Sequence, residues 1–150
     1  MNTADPAPFD HESESTPYES ILIPTDGGNA LTPAIRHGVS LAHAYAATVH
    51  ALRIVEDHSH LGKTAIPSTS EKNTWDEAAA IEPVMDVAHT LGLNVIPGIE
   101  HGSSPDVILD YIEENDIDLM VLGTHGRTGL TRYLHRSISE QLLRTAPVPV

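Results

Sequence analysis

Short apolar runs that alternate with segments of helical period constrain this chain more than any other feature. Ile21-Leu22-Ile23 stops at Pro24, whose missing N–H ends a strand ladder. Thr48 to Val55 is rich in β-branched and apolar residues, Leu93 to Ile99 forms a third run, and Leu119 to Leu122 a fourth. A continuous apolar run without alternation suits a strand buried on both faces, as parallel sheets require. Pro97, inside the third run, cannot donate to a ladder and places that strand at an edge.

The segments between these runs read as helices. Thr32 and Pro33 supply an N-cap and a favoured first helical residue, and Leu31, Ile35, Val39 and Ala42 keep helical spacing as far as about Ala46. Thr74-Trp75-Asp76-Glu77 is a capping box opening a second helix, on which Ala80, Val84, Val87, Ala88 and Leu91 form the apolar stripe and which Gly92 ends. Pro83 inside that pattern predicts a kink or a later start. Ser104-Pro105 caps a third helix through Asn115, with Val107, Ile108, Tyr111 and Ile112 inward and Asp106, Asp110, Glu113 and Glu114 on a solvated face. A fourth helix follows Ser137, which with Glu140 makes another capping box. Pro147 to Val150 begins a fifth strand, short or truncated at the C-terminus. The sum is an α/β chain with a doubly wound parallel sheet between two helical layers. Ligands in such sheets sit beyond the carboxyl ends of the strands, at a topological switch point.

Composition narrows the function. The 150 residues fit one domain, residues 18–150, preceded by residues 1–17, an acidic segment with three prolines and no Lys or Arg that reads as a disordered tail. Asp and Glu number 21 against eight Lys and Arg, a formal charge of −13 that opposes binding to nucleic acid or anionic membrane. Lys63 and Lys72 are the only lysines, and an acidic, lysine-poor surface fits a high-salt, halophilic cytoplasm. Cysteine is absent, which excludes thiol catalysis and Cys-based zinc sites. No apolar stretch is long enough to span a membrane, and the start lacks the basic and apolar regions of a secretory signal, so a cytoplasmic location is expected. Glu56 to Lys72 has no clear period and reads as a mobile loop able to act as a lid.

The fourth apolar run leads into Gly123-Thr124-His125-Gly126-Arg127-Thr128-Gly129. Three glycines in seven residues let backbone N–H groups approach a ligand, and a helix starting at Ser137 would present its positive dipole end, together a cradle for phosphate. An ordinary glycine-rich turn with an ordinary cap fits the same residues. A hydrolase elbow of the Gly-x-Ser-x-Gly type and a P-loop with its lysine are both missing, which argues against a dedicated enzyme and leaves a weak ATPase at most. His125 and His135 flank the candidate phosphate site, where a role as donors or in acid–base chemistry is weighed against partly exposed loop residues and the latter is favoured, and His58 and His60 lack a defined third metal ligand.

The Ile21-Leu-Ile-Pro-Thr-Asp26 opening, the Asp118-Leu-Met-Val-Leu-Gly-Thr-His-Gly-Arg-Thr-Gly129 block and the Ala146-Pro-Val-Pro-Val150 ending together resemble the universal stress protein family. The resemblance covers nearly everything from Tyr18 to Val150. It implies a flavodoxin-like sheet of order 3-2-1-4-5, often a homodimer, with many members binding ATP through a Gly-x2-Gly-x9-Gly-Ser/Thr pattern. Gly123 and Gly126 match the first two glycines and Ser137 the hydroxyl residue. Carried over in the same way, Pro24, Thr25 and Asp26 border the adenosine, Ile54 lies near the adenine, and His125 and Arg127 belong to the phosphate loop. The resemblance thus implies ATP or AMP as ligand, with Mg2+ accompanying ATP. Arg136 stands where the pattern has its third glycine. Either its side chain obstructs the close approach of phosphate and weakens binding, or its guanidinium pairs with a phosphate in place of the lost backbone contact. Truncation of the fifth strand would weaken a homodimer built on that edge. A stress protein that binds no nucleotide and acts through dimerisation or a partner is the alternative.

Overall fold

Four apolar runs become four strands, β1 (Ser20–Pro24), β2 (Thr48–Val55), β3 (Val95–His101) and β4 (Leu119–Met120). The computed structural model, which describes residues 17–27, 32–55, 78–123 and 131–150, pairs them all in parallel in the order β3-β2-β1-β4. These are the first four strands of the expected order. Helices α1 (Thr32–Tyr45), α2 (Glu82–Thr90), α3 (Ser104–Glu114) and α4 (Thr131–Thr145) alternate with them. The tail, residues 56–77 with the Thr74 capping box and the Glu56 to Lys72 loop, and most of the glycine run lie outside the described residues.

Central β1 is buried on both sides, with Ile21, Leu22 and Ile23 at most 1% exposed. Side chains alternate along a strand. Ile21, Ile23, Val49 and Ala51 therefore pack with Ile35, Val39 and Ala42 of α1 and Val84 and Ala88 of α2. Leu22, Leu52 and Met120 face the other way, onto Ile108, Tyr111 and Ile112 of α3 and Leu142 of α4. α1 approaches its strands closely at Gly38, where an added Cβ would lie 2.7 Å from Ile23 Cδ1 and 3.3 Å from Val121 Cβ. That contact explains a glycine inside a helix, where it is otherwise unfavourable.

Three of the helices stop by one device. Ala46 (φ 53°), Gly92 (φ 69°) and Asp116 (φ 49°) are left-handed, and the N–H that follows each returns to a carbonyl five residues back: Ala47 to Ala42, Leu93 to Ala88 and Ile117 to Ile112. This is the Schellman arrangement, which turns the chain directly toward the next strand. The Asp118 carboxylate then ties the start of β4 to β1, accepting the N–H groups of Glu19 (2.8 Å) and Ser20 (3.0 Å).

Pro97 lies on an edge strand, as its chemistry requires. Val49 N–H donates to Asn94 and Gly102 N–H to Val55, so the even-numbered residues of β3 turn their backbone groups toward β2. The nitrogen of Pro97 faces the open edge.

Several boundaries differ from expectation. α2 begins at Glu82 with Pro83 in its first turn, where no N–H is needed, directly after a helical stretch at residues 78–79 and a turn at 80–81, so the helical pattern anticipated across Pro83 is interrupted just before it. β3 begins two residues after Leu93 and runs on to His101. The N-cap of α3 is Ser103, which makes no side-chain cap bond, and not Ser104. β4 has two residues where four were expected, although Val121 N–H still reaches Leu22 O at 2.9 Å. The largest change is in α4, which starts at Thr131 and not after Ser137. Residues 131–136 contain neither Gly nor Pro, so nothing stops the helical ladder from extending back toward the glycine run. The Ser137/Glu140 spacing thus falls inside a helix and not at its start. Residues 147–150 form no strand, and Pro147 and Pro149 can give none of the donors a ladder needs. One bond survives there, from Met120 N–H to Pro149 O at 3.0 Å, which holds the end of the chain against the outer side of β4.

Candidate functional site

Parallel pairing brings the carboxyl ends of all four strands to one rim. The chain leaves β1 for β2 on one side and places β4 on the other, so the switch point lies between β1 and β4. Pro24, Thr25 and Asp26 leave the end of β1 there, Ile54 is near the end of β2, and Gly123 follows β4. These five sequence candidates share that rim. His125, Gly126 and Arg127 lie outside the described residues. Arg136 and Ser137 fall within α4, whose free N–H groups belong to its first turn, so Ser137 does not stand at a helix entrance.

Thr25 is 5% exposed and its hydroxyl is already engaged. It donates to the Ala80 carbonyl (3.1 Å) and accepts the Gly27 N–H (3.1 Å), pinning the rim loop to the turn before α2. Thr25 N–H donates to Leu52 O at 2.8 Å and extends the sheet past Pro24. Gly27 has φ +77°, and a Cβ on it would come within 2.8 Å of Ala80 Cα. A ligand at this rim therefore meets the backbone around Thr25 and not its hydroxyl. Ile54 and Leu122 are partly buried against the α3/α4 core and offer an apolar floor.

Beneath that floor sits a polar pair that the sequence reading missed. His50, 4% exposed, has Nδ1 3.1 Å from the Tyr111 hydroxyl, and the two rings meet edge to face at 5.8 Å. Burial lowers the His50 pKa below its ordinary value. Burial first, and the nearby Glu100 charge second, raise that of Tyr111. A histidine within the largely apolar Thr48–Val55 run was the available signal. On the same strand the Arg53 Nε is buried without a hydrogen-bond partner among the described residues. No group of three or more His, Asp or Glu among the described residues is placed to hold a metal, and His58 and His60 lie outside them.

The sequence profile of the universal stress protein family matches residues 17–150. The chain belongs to the universal stress protein family. Universal stress protein MJ0531 of Methanocaldococcus jannaschii is 31% identical over 136 residues, covering 89% of this chain and 80% of that one. Among solved structures, universal stress protein UspA from Lactobacillus plantarum superposes with a TM-score of 0.68 at 28% identity, over 89% of this chain and 95% of that one. A universal stress protein in complex with cAMP (TM-score 0.65, 18% identity, 89% and 94% covered) shares the fold. So does the universal stress protein from Archaeoglobus fulgidus in complex with dAMP (TM-score 0.64, 14% identity, 89% and 95% covered).

Proposed function

We propose that this universal stress protein binds an adenine nucleotide at the strand-end rim and serves as a regulatory stress-response protein, not as a dedicated enzyme. The observation that supports the reading is that parallel pairing puts Pro24, Thr25, Asp26, Ile54 and Gly123 on one rim, the residues that the family resemblance assigns to the adenosine and to the first glycine of the phosphate pattern. Family structures holding cAMP and dAMP support the ligand class. In this reading Ile54 and Leu122 carry the base and sugar, and the loop from Gly123 through His125, Gly126 and Arg127 meets the phosphate. Arg136 sets the limit. Inside α4 its backbone N–H serves the helix ladder, so the third backbone contact of the family pattern is lost and phosphates beyond the first gain little. AMP and ATP then bind with similar, modest affinity, and a homodimer transmits occupancy.

Calorimetry with AMP and ATP on the natural protein and on Arg136→Gly tests this. The expected result is comparable affinity for both ligands in the natural protein and a selective gain for ATP in the variant. Tight ATP binding that the substitution leaves unchanged would sink the role given to Arg136. Binding of neither nucleotide would leave a stress protein that acts through dimerisation or a partner.

A further inference from the structure

We infer that Arg53 anchors a site for a small oxyanion of the phosphate class on the α1/α2 side of the strand-end rim, independent of the nucleotide reading above. Arg53 lies near the end of β2, in register with Ile99 of β3. Thr25 N–H donates to Leu52 O, which carries the β1/β2 register one step past Pro24 and puts Thr25 beside Arg53 on the other flank. Residues two apart on a strand share a face. Arg53 therefore belongs to the face of Val49 and Ala51, which pack under α1 and α2, and Ile54 to the opposite one. It stands beyond the buried Ala51, at the end of the sheet where parallel folds take ligands.

The Nε of Arg53 is buried without a hydrogen-bond partner, and no carboxylate among the described residues pairs with the side chain. The chain carries 21 Asp and Glu against eight Lys and Arg, so an arginine left without one of them stands out. A charged N–H taken out of water without an acceptor is costly, and native structures keep such a group where water, an ion or a ligand completes it. Its neighbours do not complete it. Ile99 has no polar side-chain atom, and the Thr25 hydroxyl is committed to Ala80 O and Gly27 N–H. Nε and one terminal nitrogen of a guanidinium form a parallel pair of donors that matches two oxygens of a phosphate, a better fit than the single oxygen of a water. Arg53 as a whole is only partly buried and Ile99 is 37% exposed, so the site is open to a small solute from the β3 side. The formal charge of −13 repels large polyanions and restricts the ligand to a single small group.

The test is calorimetric melting of the full chain, of Arg53→Gln and of Arg53→Lys during titration with inorganic phosphate, with chloride holding the ionic strength constant so that screening of the acidic surface does not change. The midpoint of the natural protein is expected to rise by about 4 °C once phosphate is about tenfold above its dissociation constant. Arg53→Gln, which keeps an amide donor but no charge, loses most of that rise. Arg53→Lys keeps the charge without the planar fork and binds phosphate about tenfold more weakly. No rise in the natural protein, or the same rise in Arg53→Gln, overturns the site. A large loss of stability in Arg53→Gln with no phosphate response in the natural protein also overturns it, and assigns Arg53 to a carboxylate of the chain itself. If Arg53→Gln fails to fold, the comparison of the natural protein with Arg53→Lys decides, and equal phosphate affinity in the two overturns the site. None of these outcomes touches the nucleotide reading, which uses Ile54 on the opposite face.

Discussion

On the face covered by α1 and α2, every buried residue of the core is aliphatic, and Gly38 lets the helix settle directly onto Ile23 and Val121. Across the sheet, the core under α3 and α4 includes Tyr111 and Met120, encloses the His50–Tyr111 hydrogen bond, and runs up to the partly buried Ile54 and Leu122 at the rim. The same strands build both faces, so the contrast lies in what each face is asked to do. The first is closed and supplies packing energy. The second tolerates polar atoms because His50 and Tyr111 satisfy one another, and it runs up to the rim proposed for the nucleotide.

Truncating one fully buried aliphatic on each face gives the largest expected effect and the most direct test of that contrast. Ile21→Ala, in the middle of the sheet under α1, is expected to cost about 4 kcal/mol in denaturant unfolding. Leu142→Ala, beside the two-residue β4, is expected to cost about 2 kcal/mol, because a cavity at the margin of the sheet collapses more readily. Equal losses would break the contrast.

A smaller effect is expected where the faces meet at the rim. Thr25→Val keeps the side-chain shape but removes the bonds to Ala80 and Gly27, leaving both groups short of a partner, at a cost of about 2 kcal/mol. Calorimetric melting of the variant checks this, and an unchanged midpoint would mean that the rim loop is held by other contacts.

The smallest effect depends on pH. His50 binds its proton less readily folded than unfolded, so its contribution is complete above the unfolded value of 6.5 and is lost as the pH falls from there through the lowered folded value. The loss is at most about 1.4 kcal/mol per pH unit over that window. His50→Gln retains a partner for Tyr111 without titrating. Its stability is expected to change less between pH 7.5 and 5.5 than that of the natural protein, as read by urea unfolding at the two pH values. Identical slopes would place the acid sensitivity of the chain elsewhere.

Much of this architecture could be read along the chain. Ile21-Leu22-Ile23 ending at Pro24 marks a doubly buried strand through its lack of alternation, and Pro97 announces an edge because a missing donor has no other place in a sheet. The order of the elements put Pro24 to Asp26 and Gly123 on one rim, and Ile54 was named through the family resemblance. Ser137 misled because a capping box is a local spacing, and the same spacing arises inside a helix that continues through it. Ala46 and Asp116 gave no sign of their left-handed conformation, since neither residue type demands it.

The order of the elements and the parallel sheet follow from the sequence alone, because hydrophobic period and backbone chemistry act over a few residues. Membership in the universal stress protein family follows from it as well. Tertiary structure alone decided that His50 meets Tyr111 across 61 residues, that Thr25 spends its hydroxyl on Ala80, and that Glu100 stands beside Ile54. Those pairings depend on register between strands distant in the chain, and register is set by how two whole faces pack, which no local pattern encodes.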